Sequence, residues 1–162
     1  MTLEELFRGR MVNIPEVMAR LRRVAEAEGL PLGERKMTFN SRLAQELGKW
    51  AESRGIGEIF DQATFRAYFV DGVNIALIPE LLNLAESVGL PKAKAQDVLK
   101  TRAFRKAVDL DWVRSRKMGV TMVPTFMVDG NALVGAQPYG AMERFMAANH
   151  IPRRKHGVIK GF

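Results

Sequence analysis

Only one stretch of this chain, Val120-Thr121-Met122-Val123-Pro124-Thr125-Phe126-Met127-Val128, is rich enough in β-branched and apolar residues to read as a strand. It runs into Asp129-Gly130, a pair that favours a tight hairpin turn, and Leu133 and Val134 supply the returning strand. A lone two-stranded hairpin cannot organise a domain in water. Helices must therefore carry the fold, and the sequence predicts a mostly α protein with a small β-hairpin.

The helical spacings are regular. After a short amphipathic turn at Leu3, Leu6 and Phe7, Ile14-Pro15 opens a helix through Val17, Leu21, Val24 and Ala25 that Gly29-Leu30-Pro31 stops. Leu43, Leu47, Trp50 and Ala51 mark a second helix, read as running from about Thr38 to Ser53. Ile59, Ala63, Phe65, Tyr68 and Phe69 make a third, closed by Asp71-Gly72 and read as core. Pro79 opens a helix through Leu81, Leu82, Leu84, Ala85 and Val88, and Gly89-Leu90-Pro91 halts it. Two further helices, joined by a bend near Thr101, carry Ala95, Val98 and Leu99 and then Phe104 to Met118. Gln137-Pro138 starts the last one, with Met142, Phe145 and Met146. This divides the chain into a helical region 1–118, a hairpin-and-helix region 119–148 and a basic tail 149–162. The Gly-Leu-Pro breaks share no residue template around them, so a solenoid is not expected.

With 162 residues, 47% of them hydrophobic and 27% charged, there is material for one core. The absence of cysteine excludes disulfides, thiolate metal sites and thiol nucleophiles from these residues. No apolar run approaches the roughly 20 residues of a membrane helix, and MTLEELFRGR contains acidic residues and no apolar run, so a soluble cytoplasmic protein with no membrane partner is expected. The net charge of +7 owes much to Arg153, Arg154, Lys155 and Lys160, in a stretch with no acid. The tail could meet nucleic acid, but without interleaved aromatic residues a solvated terminus is the better reading.

Other constellations carry little chemistry. His150 and His156, six residues apart, match no metal motif. Asp109 and Asp111 point about 200° apart on a helix, cannot act as an acid/base pair and are read as solvated. Gly55-x-Gly57 follows a helix and reads as its stop. Ser41, Ser53, Ser87 and Ser115 lie in no nucleophile elbow. The Met and aromatic positions Phe65, Tyr68, Phe69, Phe126, Met127, Met142, Phe145 and Met146 are read as core, and no metal or cofactor is expected.

The order Val-Pro-Thr-Phe, strand, Asp-Gly turn, strand and Gly135-Ala136-Gln137-Pro138 resembles the DsbA family of thioredoxin-fold proteins. Asn40-Ser41-Arg42-Leu43-Ala44 and Phe65-Arg66-Ala67-Tyr68-Phe69 extend the likeness to its FrnE-like and 2-hydroxychromene-2-carboxylate isomerase-like branch, from Met1 to about Ala148. The resemblance implies an incomplete thioredoxin-like α/β fold with a helical insertion, a cis peptide bond before Pro124 and protein disulfide oxidoreductase activity. It also implies that Met122, Val123, Pro124 and Thr125 form a substrate-binding loop, Val123 offering its N–H and C=O to an extended peptide. The lesser alternative is a trans proline that simply ends the loop ahead of an edge strand.

The departures from the family matter too. Its Cys-x-x-Cys segment is not among these residues, nor is the serine of the isomerase branch, so the chain is expected to be catalytically silent as it stands. Met122 stands where the family commonly has glycine and would narrow the groove. Ala136-Gln137 replaces the Ser-Asp of the glutathione-binding branch, which makes a peptide the better partner than glutathione. The strand after Pro124 would also lack its usual neighbour. Self-association is therefore expected, through hairpin edges paired across a two-fold axis or through a helical face. Three functions follow: a silent relative of the oxidoreductases, a peptide- or partner-binding module, and a nucleic-acid contact through the tail.

Overall fold

A computed structural model describes residues 1–9, 11–34 and 36–153. Among them are eight helices, α1 (Leu3–Leu6), α2 (Ile14–Ala27), α3 (Arg42–Ser53), α4 (Gly57–Phe69), α5 (Ile78–Ser87), α6 (Lys92–Thr101), α7 (Arg105–Lys117) and α8 (Tyr139–Ala148), and two strands, β1 (Thr125–Val128) and β2 (Asn131–Val134). The fold is predominantly helical with one small antiparallel sheet, an incomplete form of the thioredoxin-like α/β arrangement. No helix among the described residues is long and apolar enough to cross a membrane.

Local chemistry sets the helix boundaries. In α1 the Thr2 hydroxyl accepts the Glu5 N–H while the Glu5 carboxylate accepts the Thr2 N–H, a reciprocal cap. Asn13 caps α2, with Pro15 in the first turn. The second long helix begins at Arg42 rather than near Thr38. The Asn40 carboxamide oxygen accepts the Arg42 N–H at 2.8 Å, and the Thr38 N–H is taken by the Met1 carbonyl in an extended pairing, so residues 38–41 are committed elsewhere.

The chain divides into two compact units, Met1–Asp111 and a second beginning at Trp112. In the first, Leu47 and Ala51 of α3, Phe60 of α4, Leu81 and Ala85 of α5, and Ala95 and Leu99 of α6 close a core around Ile75 and Leu90. The α4 helix is core on one face only, which corrects the reading of Phe65 and Phe69 as core. Phe60 and Ala67, seven residues apart, point inward, whereas Phe65 lies on the other side and is 63% exposed, with Ile59 and Phe69 also exposed.

In the second unit Thr125 pairs with Val134, Phe126 with Leu133, Met127 with Ala132 and Val128 with Asn131. Asp129 and Gly130 both adopt positive φ (47° and 84°), the backbone that a two-residue hairpin turn of this hand demands. None of the described residues from Trp112 onward is buried. Phe126 and Met146, read as core, are exposed, and Met127, Met142 and Phe145 are half-buried. Two short strands and a three-turn helix offer too few apolar faces to enclose these side chains.

Candidate functional site

The loop entering β1 holds Met122, Val123, Pro124 and Thr125, and the Val123–Pro124 peptide is cis. The Thr125 hydroxyl donates to the Met122 carbonyl at 2.7 Å, tying the loop to the start of the strand. On the far side Gln137 donates its side-chain amide to the Val134 carbonyl at 2.9 Å.

The ladder decides which backbone groups are left over. The Pro124 carbonyl accepts the Gly135 N–H at 2.8 Å, so this pair is hydrogen-bonded, and bonded pairs alternate along an antiparallel ladder. Phe126 and Val128 therefore direct their N–H and C=O groups to β2, while Thr125 and Met127 direct theirs outward. Val123 continues the outward series and is 86% exposed; its N–H and C=O make no hydrogen bond among the described residues. Met122 is exposed as well. Among the described residues the outer edge of β1 is thus an open row of donors and acceptors, with no Lys, Glu or Asp along Thr125–Val128 to discourage pairing.

A second polar arrangement lies within Met1–Asp111. Glu46 is 1% exposed in an otherwise apolar core. Arg102, in the left-handed conformation at the end of α6, grips it with two bonds, Nε to Oε2 and Nη2 to Oε1, each 2.7 Å. Arg42 donates Nε to the same carboxylate at 2.8 Å and extends Nη2 to Asp109 Oδ1 at 2.6 Å and to the Arg105 carbonyl at 3.0 Å. Hydrogen bonds from Arg102, and then from Arg42, hold the Glu46 carboxyl below the ordinary glutamate range against the opposing effect of burial. This cluster pins α3 to the junction of α6 and α7. With both oxygens committed, Glu46 is a structural carboxylate rather than an acid or base.

Sequence reasoning missed Glu46, although a signal existed. It falls three residues after Leu43 and four before Trp50, on the apolar stripe, with Arg42 four residues before it. Asp109 and Asp111, read as solvated, are each about half exposed but engaged, Asp109 with Arg42 and Asp111 with Lys49 at 2.9 Å. Of the tail, Arg153 forms an ion pair with Glu143. Arg154, Lys155, His156 and Lys160 lie outside the described residues. No group of metal-ligating side chains occurs among the described residues.

A protein-family model for the DSBA-like thioredoxin domain matches residues 5–147. Among curated proteins, the uncharacterized protein YwbO of Bacillus subtilis (strain 168) is 30% identical over 106 residues, covering 63% of this chain and 52% of YwbO. Among solved structures, a probable DsbA oxidoreductase, SCO1869 from Streptomyces coelicolor, superposes with a TM-score of 0.76 at 25% identity, covering 89% of this chain and 63% of that one. A 2-hydroxychromene-2-carboxylate isomerase (TM-score 0.72, 19% identity, 83% of this chain and 66% of that one) shares the fold. So does the cytosolic disulfide reductase DsbM from Pseudomonas aeruginosa (0.57, 24%, 83% and 70%). The chain spans about half the length of its curated relative.

One expectation carried by the resemblance is corrected. Disulfide exchange begins with attack by a thiolate, and none of the 162 residues is cysteine, so protein disulfide oxidoreductase activity is not a property of this chain. It is a cysteine-free variant of the fold. The family match extends over nearly all of the described residues, through the helical bundle and on to α8, and on that ground the chain belongs to the DSBA-like thioredoxin domain family.

Proposed function

We propose that this chain is a non-catalytic binding module that takes an extended segment onto the open edge of β1, led by the loop Met122-Val123-Pro124-Thr125. The observation that carries the reading is the run of outward backbone groups at Val123, Thr125 and Met127 beside exposed apolar side chains. Main-chain hydrogen bonds supply affinity in this mode and flanking side chains supply selectivity. The segment can be a peptide or the same edge of a second copy. An antiparallel pair about a two-fold axis at Thr125 sets Val123 of one copy opposite Met127 of the other, and both belong to the outward series, so the two edges are self-complementary. We place this binding in the cytoplasm, where no disulfide is asked of the chain.

Proline at position 127 tests the reading. The Met127 N–H faces away from β2, so Met127→Pro removes a donor from the open edge and spares the hairpin ladder. Sedimentation over a wide concentration range should show a rising mass for the parent chain, or amide protection at Val123, Thr125 and Met127 on titration with a Val/Thr-rich extended peptide. Either effect should vanish in Met127→Pro. A constant monomer mass together with unprotected amides in the presence of the peptide rejects the proposal.

A further inference from the structure

Within Met1–Asp111 a cavity of about 430 Å³ opens between α3 and α4, a volume suited to a small molecule. Four aromatic rings form its wall in sequence. Phe39 meets Tyr68 edge-on at 6.2 Å, Tyr68 meets Phe69 edge-on at 4.8 Å, and Phe69 meets Phe65 at 6.1 Å. The Tyr68 hydroxyl shares a hydrogen bond with the Thr38 hydroxyl at 3.2 Å, which fixes that ring. Phe65 and Phe69 remain exposed, an unusual disposition for two phenylalanines one helical turn apart.

The same cavity is lined by a carboxylate, Asp61, one turn before Phe65 on α4. Gly48 of α3 makes room for it, since a Cβ there would stand 3.3 Å from Asp61 Oδ1. Asp61 takes part in no hydrogen bond or ion pair among the described residues, and partial desolvation, then Glu52, hold its carboxyl above the ordinary aspartate range. The adjoining cavity adds Glu52, Glu58 and Asp111 against Lys49, whose ammonium is bound by Glu52 and Asp111. On a chain of net charge +7, this groove is negative.

We propose that the cavity binds a small organic monocation, an ammonium carried on an aryl or alkyl body, with the Asp61 carboxylate meeting the charge and the rings of Phe65, Tyr68 and Phe69 meeting the body. The negative faces of the rings and the carboxylate act on the same charge. Neutral molecules of the same shape gain the ring contacts alone, and anions are repelled.

The test uses the full chain and two probes of nearly equal shape, 2-phenylethylammonium and 2-phenylethanol, titrated by calorimetry or by following ring resonances of Phe65 and Phe69. The ammonium should bind at least about tenfold more tightly than the alcohol. Asp61→Asn should erase that preference while leaving alcohol binding in place, and Phe65→Ala should weaken both probes. Each residue lies on the exposed side of α4, and an unchanged thermal midpoint shows that the variant folds. Equal affinity for the two probes, an ammonium preference that survives Asp61→Asn, or no saturable binding of either overturns the assignment.

Discussion

The unit Met1–Asp111 and the unit beginning at Trp112 use similar residue types to opposite effect. The first encloses Leu47, Ala51, Phe60, Leu81, Ala85 and Ala95 completely, while the second, with Phe126, Met127, Met142, Phe145 and Met146 available, buries none of its described residues. The difference lies in the number of faces. Helices α3, α4, α5 and α6 each turn an apolar stripe inward, and four stripes enclose a volume. A hairpin, α8 and the last turns of α7 supply fewer apolar faces and leave an edge open. Stability should therefore reside in the first unit and association in the second.

The largest effect expected from this contrast comes from paired truncations. Phe60→Ala removes a fully enclosed ring and should cost about 3 to 5 kcal/mol in denaturant unfolding. Phe126→Ala removes a ring that is 40% exposed and should cost about 1 kcal/mol. Similar losses at the two positions would show that the hairpin is enclosed in solution.

Next in size is Glu46→Gln, which leaves the guanidinium groups of Arg42 and Arg102 facing an uncharged partner. A loss of about 3 kcal/mol is expected, the scale for breaking one side of a buried pair. The pH dependence has a definite sign. The folded carboxyl titrates below the ordinary value of about 4.3, so the stabilisation is fully present above that pH and is lost as pH falls through the lower, folded value. In the Glu46→Gln variant the acid limb of the stability profile should flatten. A profile identical to that of the parent chain would mean that Glu46 is not held as a carboxylate.

Much of the fold could be read from the sequence because its signals are local. Pro15, Pro79 and Pro91 start helices, Gly29 and Gly89 end them with φ of 66° and 82°, and Asp129-Gly130 turns the hairpin. What the spacings did not reveal depends on which face meets which neighbour. The aromatic run of α4 looks like core in one dimension, yet five residues along a helix turn Phe65 most of the way round from Phe60. Glu46 becomes a clamp only because the chain returns 56 residues later with Arg102 in a left-handed conformation. The loop at Val123–Pro124 was visible from the family resemblance. The outward backbone series at Val123, Thr125 and Met127 needed the register of the ladder as well.

A smaller effect sharpens the contrast from the side of surface charge. Lys49 bridges Glu52 and Asp111 at 2.8 and 2.9 Å in the first unit, and Arg153 pairs with Glu143 in the second. Asp111 and Arg153 are both well exposed, so solvent and salt screen these pairs and each should contribute less than about 1 kcal/mol. Asp111→Asn and Glu143→Gln, measured by urea unfolding at low and high salt, should each shift stability slightly and by similar amounts, and the shifts should shrink as salt rises. A loss at Asp111 approaching that of Phe60→Ala would transfer the stability of the first unit from its apolar stripes to its charges. Equal small losses leave the enclosed volume as the physical difference between the two.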